Sequence, residues 1–170
     1  ESGRRVTAWP KDVLRGGEGH PQYQEFRRSS ITRLVMLVSE DARALRPHLR
    51  SSAAVFPNWP QCREEIGQDW GAWVEKGWLD FVCPMDYSQD DQAFMALVSN
   101  QLRLVDGRIP LYPGIGQWRL TEDRTVGQIF LARQLGVPGF TIFDLSAESI
   151  HSAVPAVGLG VGRQKATPPH

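Results

Sequence analysis

The sequence predicts an α/β fold, the C-terminal half of a (β/α)8 TIM barrel, made of four parallel βα units preceded by a helix. Three observations carry that expectation. Short apolar runs alternate with helical patterns four times, the loops between them are short, and the runs are apolar nearly throughout. Strands that alternate with helices form parallel sheets with right-handed crossovers, and strands covered on both faces lose the polar alternation of a half-solvated sheet. Four such units are half of a barrel that usually needs about 250 residues. The order opens with a helix that no strand precedes, so a first half of the barrel is expected upstream. A complete four-stranded open sheet is the other arrangement compatible with the pattern.

Residues 1–21 read as loop, polar and Gly-rich around Arg15-Gly16-Gly17-Glu18-Gly19. The barrel portion is expected over 22–157. It opens with a helix from Gln22 to Arg46, with Phe26, Ile31, Leu34, Val35, Val38, Ala42 and Leu45 as its apolar face. Pro47 stops it. Ser51 to Phe56 reads as the first strand. Gln68 to Lys76 reads as a short helix ended by Gly77, and Trp78 to Pro84 as the second strand. A helix from Gln92 to Val105 leads to a third strand, Arg108 to Pro113. A helix from Glu122 to Leu135 follows, with Val126, Ile129, Phe130 and Ala132 on its apolar side. Gly139 to Asp144 is the fourth strand, and Ser146 caps a last helix running to Val157. Residues 158–170, rich in Gly and Pro, read as a tail.

The composition excludes several classes. Lys and Arg number 19 against 19 Asp and Glu, so there is no basic surplus for nucleic acid or an anionic membrane. No apolar run approaches the ~18 residues of a membrane span. No Gly-x-Gly-x-x-Gly turn follows the first strand, which argues against a dinucleotide fold. Cys62 and Cys83 do not form a disulfide framework or a zinc spacing, and the four His residues are scattered. Both cysteines read as free thiols, Cys83 inside a buried strand. No cofactor and no metal are expected. Nothing in the chain fixes its localisation.

Ser52-Ala53-Ala54-Val55-Phe56, then Gly67-Gln68-Asp69-Trp70-x-x-Trp73, then Gly77-Trp78-Leu79-Asp80-Phe81-Val82-Cys83-Pro84-Met85-Asp86-Tyr87 resemble the glycosyl hydrolase-like family 10. Pro110 to Gly116 and Gly139 to Asp144 look like later strands of the same family, so the similarity runs from about Phe26 to Gly158. These are bacterial barrel proteins of glycosidase type. The resemblance implies part of a glycoside hydrolase that cleaves O-glycosidic bonds of a polysaccharide or glycan with carboxyl groups. The family also has an Asp-Tyr-x-Arg-Tyr-Pro motif at the end of an earlier strand, a carrier of an active-site carboxylate. Nothing in this chain matches it. One carboxylate is therefore expected upstream, and the chain alone is expected to be inactive.

Glycoside hydrolysis usually takes two carboxyl groups, about 5 Å or about 6.5–9.5 Å apart, and barrel chemistry sits at the C-terminal ends of the strands. That rule selects Asp86 and Asp144 as catalytic candidates. Each also has a plain reading, as a turn residue bonding nearby backbone N–H groups. Asp80, at a strand start, reads as structural, and Asp69 as a helix-start carboxylate. Sugars present apolar faces and hydroxyl edges. Tyr87 and Tyr112 at strand ends, Trp59 and Trp118 in adjoining loops, and Gln68 are the substrate-binding candidates. Trp70 and Trp73 read as core. Two alternatives stay open. One is a non-catalytic carbohydrate-binding barrel. The other is a metabolic barrel enzyme that holds a phosphorylated substrate at Gly114-Ile115-Gly116, where backbone N–H groups could receive an anion.

Overall fold

A computed structural model describes residues 6–163 and 165. The ends of the expected loop 1–21 and of the tail 158–170 lie outside the described residues. The chain divides into two compact units, one of residues 1–49 and 58–78, the other of 50–57 and 79–170.

The first unit is helical. A 3-10 turn, Lys11–Val13, lies within the segment expected as loop, and α1 runs His20–Leu45. Pro21 starts α1 at a position where its missing N–H costs nothing. Its inward stripe is Ile31, Thr32, Val35, Met36, Ser39 and Ala42, part-buried or buried at steps of three and four. The expected apolar face is therefore corrected. Ile31, Val35 and Ala42 belong to that stripe, but Phe26, Leu34, Val38 and Leu45 are exposed. Apolar residues occur on more than one side of α1, so their spacing alone merges two faces. Helices α2, Gln61–Glu65, and α3, Trp70–Glu75, follow; α2 was absent from the sequence reading. Arg27 donates to the carbonyls of Glu65 and Ile66, closing the open end of α2. Gly67 has φ +85°, and a Cβ there would lie 3.2 Å from the Arg28 backbone N, so a side chain would be both strained and crowded. Trp70 and Trp73 are buried as expected, with Trp73 Nε1 donating to Thr32 Oγ1 at 3.0 Å. Asp69 stands at the N-terminal cap of α3, yet its side chain does not cap. It pairs with Arg63 instead, at 2.8 Å.

The second unit is mixed α/β with short parallel strand pairs. Strands β1, Ser52–Val55, and β2, Phe81–Pro84, pair in parallel from Ser52 opposite Phe81 to Val55 opposite Pro84. Helix α4 spans Asp91–Val105. Strand β3, Gly114–Gly116, pairs in parallel with β4, Thr141–Phe143. Helix α5, Glu122–Gln134, connects them, and α6, Ala147–His151, and α7, Ala153–Leu159, end the unit. Leu111 forms a parallel bridge with Val82, so strand neighbours in space are neighbours in sequence.

The third strand is displaced from its expected place. Residues 110–112 pair with β2, the Pro110 carbonyl accepting from Val82 and Tyr112 N–H donating to the Val82 carbonyl. The ladder to β4 starts at the Pro113 carbonyl, which accepts from Thr141. Pro110 and Pro113 have no N–H, so the segment between them can fill only part of a ladder, and the regular strand begins after the second proline. The strands are also not covered uniformly. Val82 and Pro84 are buried while Phe81 and Cys83 are only part-buried, which corrects the buried Cys83 of the sequence reading.

The buried face of β2 meets a core of Val55, Phe94, Val98, Val105, Leu111, Ile115, Ile129 and Ala132. Phe130 is 54% exposed, against expectation, while Thr125 and Gln128 take buried places on α5. The Asp90 carboxylate accepts from Ala93 N–H and caps α4. Asp80 is structural as read. It accepts from Ser51 N–H at 2.7 Å and pairs with Arg50. The last helix is two helices. In one continuous helix Pro155 would collide with the carbonyl four residues back and would supply no N–H; the chain instead breaks at Ser152 and restarts. The Ser146 cap is present as a reciprocal box with Ser149.

Candidate functional site

Because the strands are parallel, the segments after β2, after β3 and at the close of β4 emerge at one end of the second unit. Three rings from these segments meet there. Tyr87 follows β2, Trp118 lies on the 3-10 turn Gln117–Arg119 after β3, and Phe143 ends β4. Trp118 stands edge-on to Tyr87 with centroids 4.7 Å apart, and edge-on to Phe143 at 5.2 Å. Tyr87 and Phe143 are tilted at 31° and 5.7 Å apart. These are the favoured geometries of aromatic quadrupoles. In a packed core such a cluster would be covered. Here Trp118 is 47% and Phe143 53% exposed, leaving an apolar surface at the strand ends. The Arg119 guanidinium lies over the Trp118 ring at 5.7 Å.

Two glycines make room for the rings. A Cβ on Gly116 would lie 3.0 Å from Trp118 Cζ3 and 3.0 Å from Tyr87 Cβ. A Cβ on Gly114 would lie 2.7 Å from the Pro84 carbonyl oxygen. Both glycines are buried and stand in register with β4, Gly114 opposite Thr141 and Gly116 opposite Phe143. Close approach of the Pro84 carbonyl accounts for Gly114, and close approach of the Tyr87 and Trp118 side chains for Gly116.

The loop from Asp86 to Asp91 is pinned from below by two buried glutamines and an arginine. Gln101 of α4 donates to Asp86 Oδ1 at 2.6 Å and to the Pro57 carbonyl at 3.1 Å. Gln128 of α5 donates to the Ser88 carbonyl, and Arg124 to the Gln89 carbonyl. Asp86 has no exposed surface, and burial, offset in part by the Gln101 bond, pushes its carboxyl up to about 7 from the ordinary 3.8. Burial and the neighbouring Asp86 also raise the Tyr87 phenol.

The sequence candidates thus separate. Tyr87 and Trp118 come together, with Phe143 added and Asp144, part-exposed, next in the chain. Asp86 is adjacent in sequence but lies buried beneath, against Gln101. Tyr112 does not close a strand: it precedes β3, which begins at Gly114, and its ring stands edge-on to Phe81 at the start of β2. Trp59 and Gln68 belong to the first unit, where the Gln68 carbonyl accepts from the Cys62 thiol. Phe143, Gln101 and Gln128 were missed. Phe143 obeys the same strand-end rule that selected Asp144. Gln101 lies three residues after Val98 and four before Val105, on the buried stripe of α4, where a polar side chain signals a specific partner.

Among the described residues no group of His, Cys, Asp and Glu is arranged to hold a metal ion, and no helix is long and apolar enough to cross a membrane.

The second unit is thus a mixed α/β unit with short parallel strand pairs and an aromatic surface at the C-terminal strand ends. The family is settled by sequence: residues 3–111 match the model described as Glycosyl hydrolase-like 10, and the chain belongs to that family. The match includes Asp86 and Tyr87 and ends before Trp118, Phe143 and Asp144. No curated protein matches the chain. A solved structure, from a characterisation of the first monomeric dihydrodipicolinate synthase variant, aligns at 16% identity with a TM-score of 0.45 over 69% of this chain. The chain spans 42% of that protein.

Proposed function

We propose that this chain is the C-terminal half of a (β/α)8 barrel and supplies the sugar-binding side of a glycoside hydrolase-like site. The observation that carries the reading is the exposed cluster of Tyr87, Trp118 and Phe143, gathered from three strand ends. A pyranose ring presents C–H groups on one face, and an exposed indole with an arginine beside it offers the matching apolar plane and a hydrogen-bond donor. Membership of the Glycosyl hydrolase-like 10 family supports a glycan as the ligand class of the cluster. Asp144, which follows Phe143 and is part-exposed, is the carboxyl group this chain offers to the sugar. Its partner in hydrolysis comes from residues outside these 170. Asp86, fully buried, supports the loop that carries Tyr87.

Titration calorimetry with cello-, chito- and xylo-oligosaccharides tests the reading. At least one series should bind, and Trp118→Ala should weaken that binding about fivefold, since ring stacking is worth on the order of 1 kcal/mol and about 1.4 kcal/mol is a factor of ten. Equal affinity of the wild type and Trp118→Ala would reject the aromatic surface as the sugar site. Binding without release of reducing ends by the full-length protein would favour the non-catalytic carbohydrate-binding barrel.

A further inference from the structure

Two buried oxygens without a partner belong to the two members of one hydrogen bond. Gln101 Nε2 donates to Asp86 Oδ1, while Asp86 Oδ2 and Gln101 Oε1 are buried and have no hydrogen-bond partner among the described residues. Both side chains are at most 1% exposed. As ionised carboxylate and amide, both free atoms are acceptors, and buried acceptors need donors. Turning the amide over does not help. It would aim Oε1 at the carboxylate and remove the donor from Asp86 and from the Pro57 carbonyl. One added proton on Asp86 Oδ2, directed at Gln101 Oε1, would satisfy both atoms. The acid O–H donates to Gln101 Oε1 while Gln101 Nε2 continues to donate to Oδ1, and the second Nε2 hydrogen stays on Pro57.

We propose that Asp86 is held protonated in a paired acid–amide contact with Gln101, and that this pair is a proton-dependent clip fastening the segments after β1 and β2 to α4. Around Gln101, α4 presents the apolar Phe94, Val98 and Val105. The segment after β1 presents the Pro57 carbonyl. The second strand and its continuation present the Cys83 thiol and the Tyr87 phenol, each raised by burial and neutral near pH 7. The groups that shift Asp86 include no cation. Its charged form would therefore sit buried without a counter-charge and with two acceptors, Oδ2 and Gln101 Oε1, left without donors. Loss of the proton to solvent turns a matched pair into a repulsive one and loosens the loop that carries Tyr87. Asp86 is then a positioning residue. The clip stands whether or not the aromatic surface binds sugar.

The test is urea unfolding of the chain and of Asp86→Asn between about pH 4 and about pH 8. The amide keeps the shape, replaces the O–H donor by an N–H donor and cannot ionise. The two proteins should unfold at similar urea concentrations at the acid end. Toward pH 8 the variant should become the more resistant of the two, because only the wild type loses its donor. A gap that does not change with pH, or a variant that loses ground as pH rises, overturns the clip. Should the variant fail to fold, carbon NMR of the wild-type Asp86 carboxyl decides: titration about a unit or less from 7 supports the clip, and titration near 4 overturns it.

Discussion

Replacing Gly116 by Ala perturbs the aromatic surface from beneath. The added methyl carbon would lie 3.0 Å from Trp118 Cζ3, 3.1 Å from Cη2 and 3.0 Å from Tyr87 Cβ. Those distances are several tenths of an ångström inside ordinary carbon contact, which lies near 3.5–4.0 Å. The indole can swing outward, because Trp118 is 47% exposed. Tyr87 Cβ is tied to the backbone of a loop pinned at Asp86, Ser88 and Gln89, and can yield little. Overpacking of this kind costs about 1–3 kcal/mol. For a chain of this size each kcal/mol moves the melting temperature by about 2–4 °C, so Gly116→Ala should melt roughly 2–12 °C lower with altered indole fluorescence. Gly127 on α5 is the control. A Cβ there meets nothing within 4 Å, and Gly127→Ala should stabilise by about 0.5–1 kcal/mol. Thermal melts followed by circular dichroism read both. A Gly116→Ala protein that melts at or above the wild type would refute the close approach of β3 to the rings.

The buried Asp86 also sets a pH dependence of measurable size. Its carboxyl is raised from 3.8 to about 7, so the folded protein holds a proton that the unfolded chain gives up. The associated stability is fully present below about pH 3.8 and is lost as pH rises through about 7, amounting to about 4 kcal/mol at 1.4 kcal/mol per unit. Asp12 and Asp123, whose carboxyls are lowered by hydrogen bonds, work in the opposite sense at acid pH, so the Asp86 component is read as the difference from Asp86→Asn. Ser146→Ala removes the oxygen that accepts from Ser149 N–H and should cost about 1 kcal/mol in urea unfolding, with Ser146→Gly costing less.

The strand-helix alternation was legible because short apolar runs and amphipathic helices differ in period, and the parallel pairs β1–β2 and β3–β4 follow from it. The strand-end rule placed Tyr87, and the adjoining loop placed Trp118, at the end of the unit where the two rings meet, because the rule needs only the order of elements. The same rule chose Tyr112, whose ring lies instead against Phe81. What escaped is set by side-chain packing. The step pattern of α1 cannot separate Leu34, which is exposed, from Val35, which is not. The shift of the third strand depends on which carbonyls Pro110 and Pro113 leave available. The burial of Asp86 depends on Gln101, fifteen residues away, reaching back from α4. A residue that follows a strand can face the sugar or the helix layer, and only its partner decides between them.

The most direct test of the account is an NMR titration that watches the indole N–H of each tryptophan while the oligosaccharide that binds best is added. Trp118 should shift progressively to saturation, with the ring protons of Phe143 and Tyr87 moving at the same ligand concentration. Trp70 and Trp73, buried in the first unit, should stay in place. Saturation by a glycan that leaves Trp118 and Phe143 unmoved would contradict the claim that the rings at the strand ends are where this chain meets sugar.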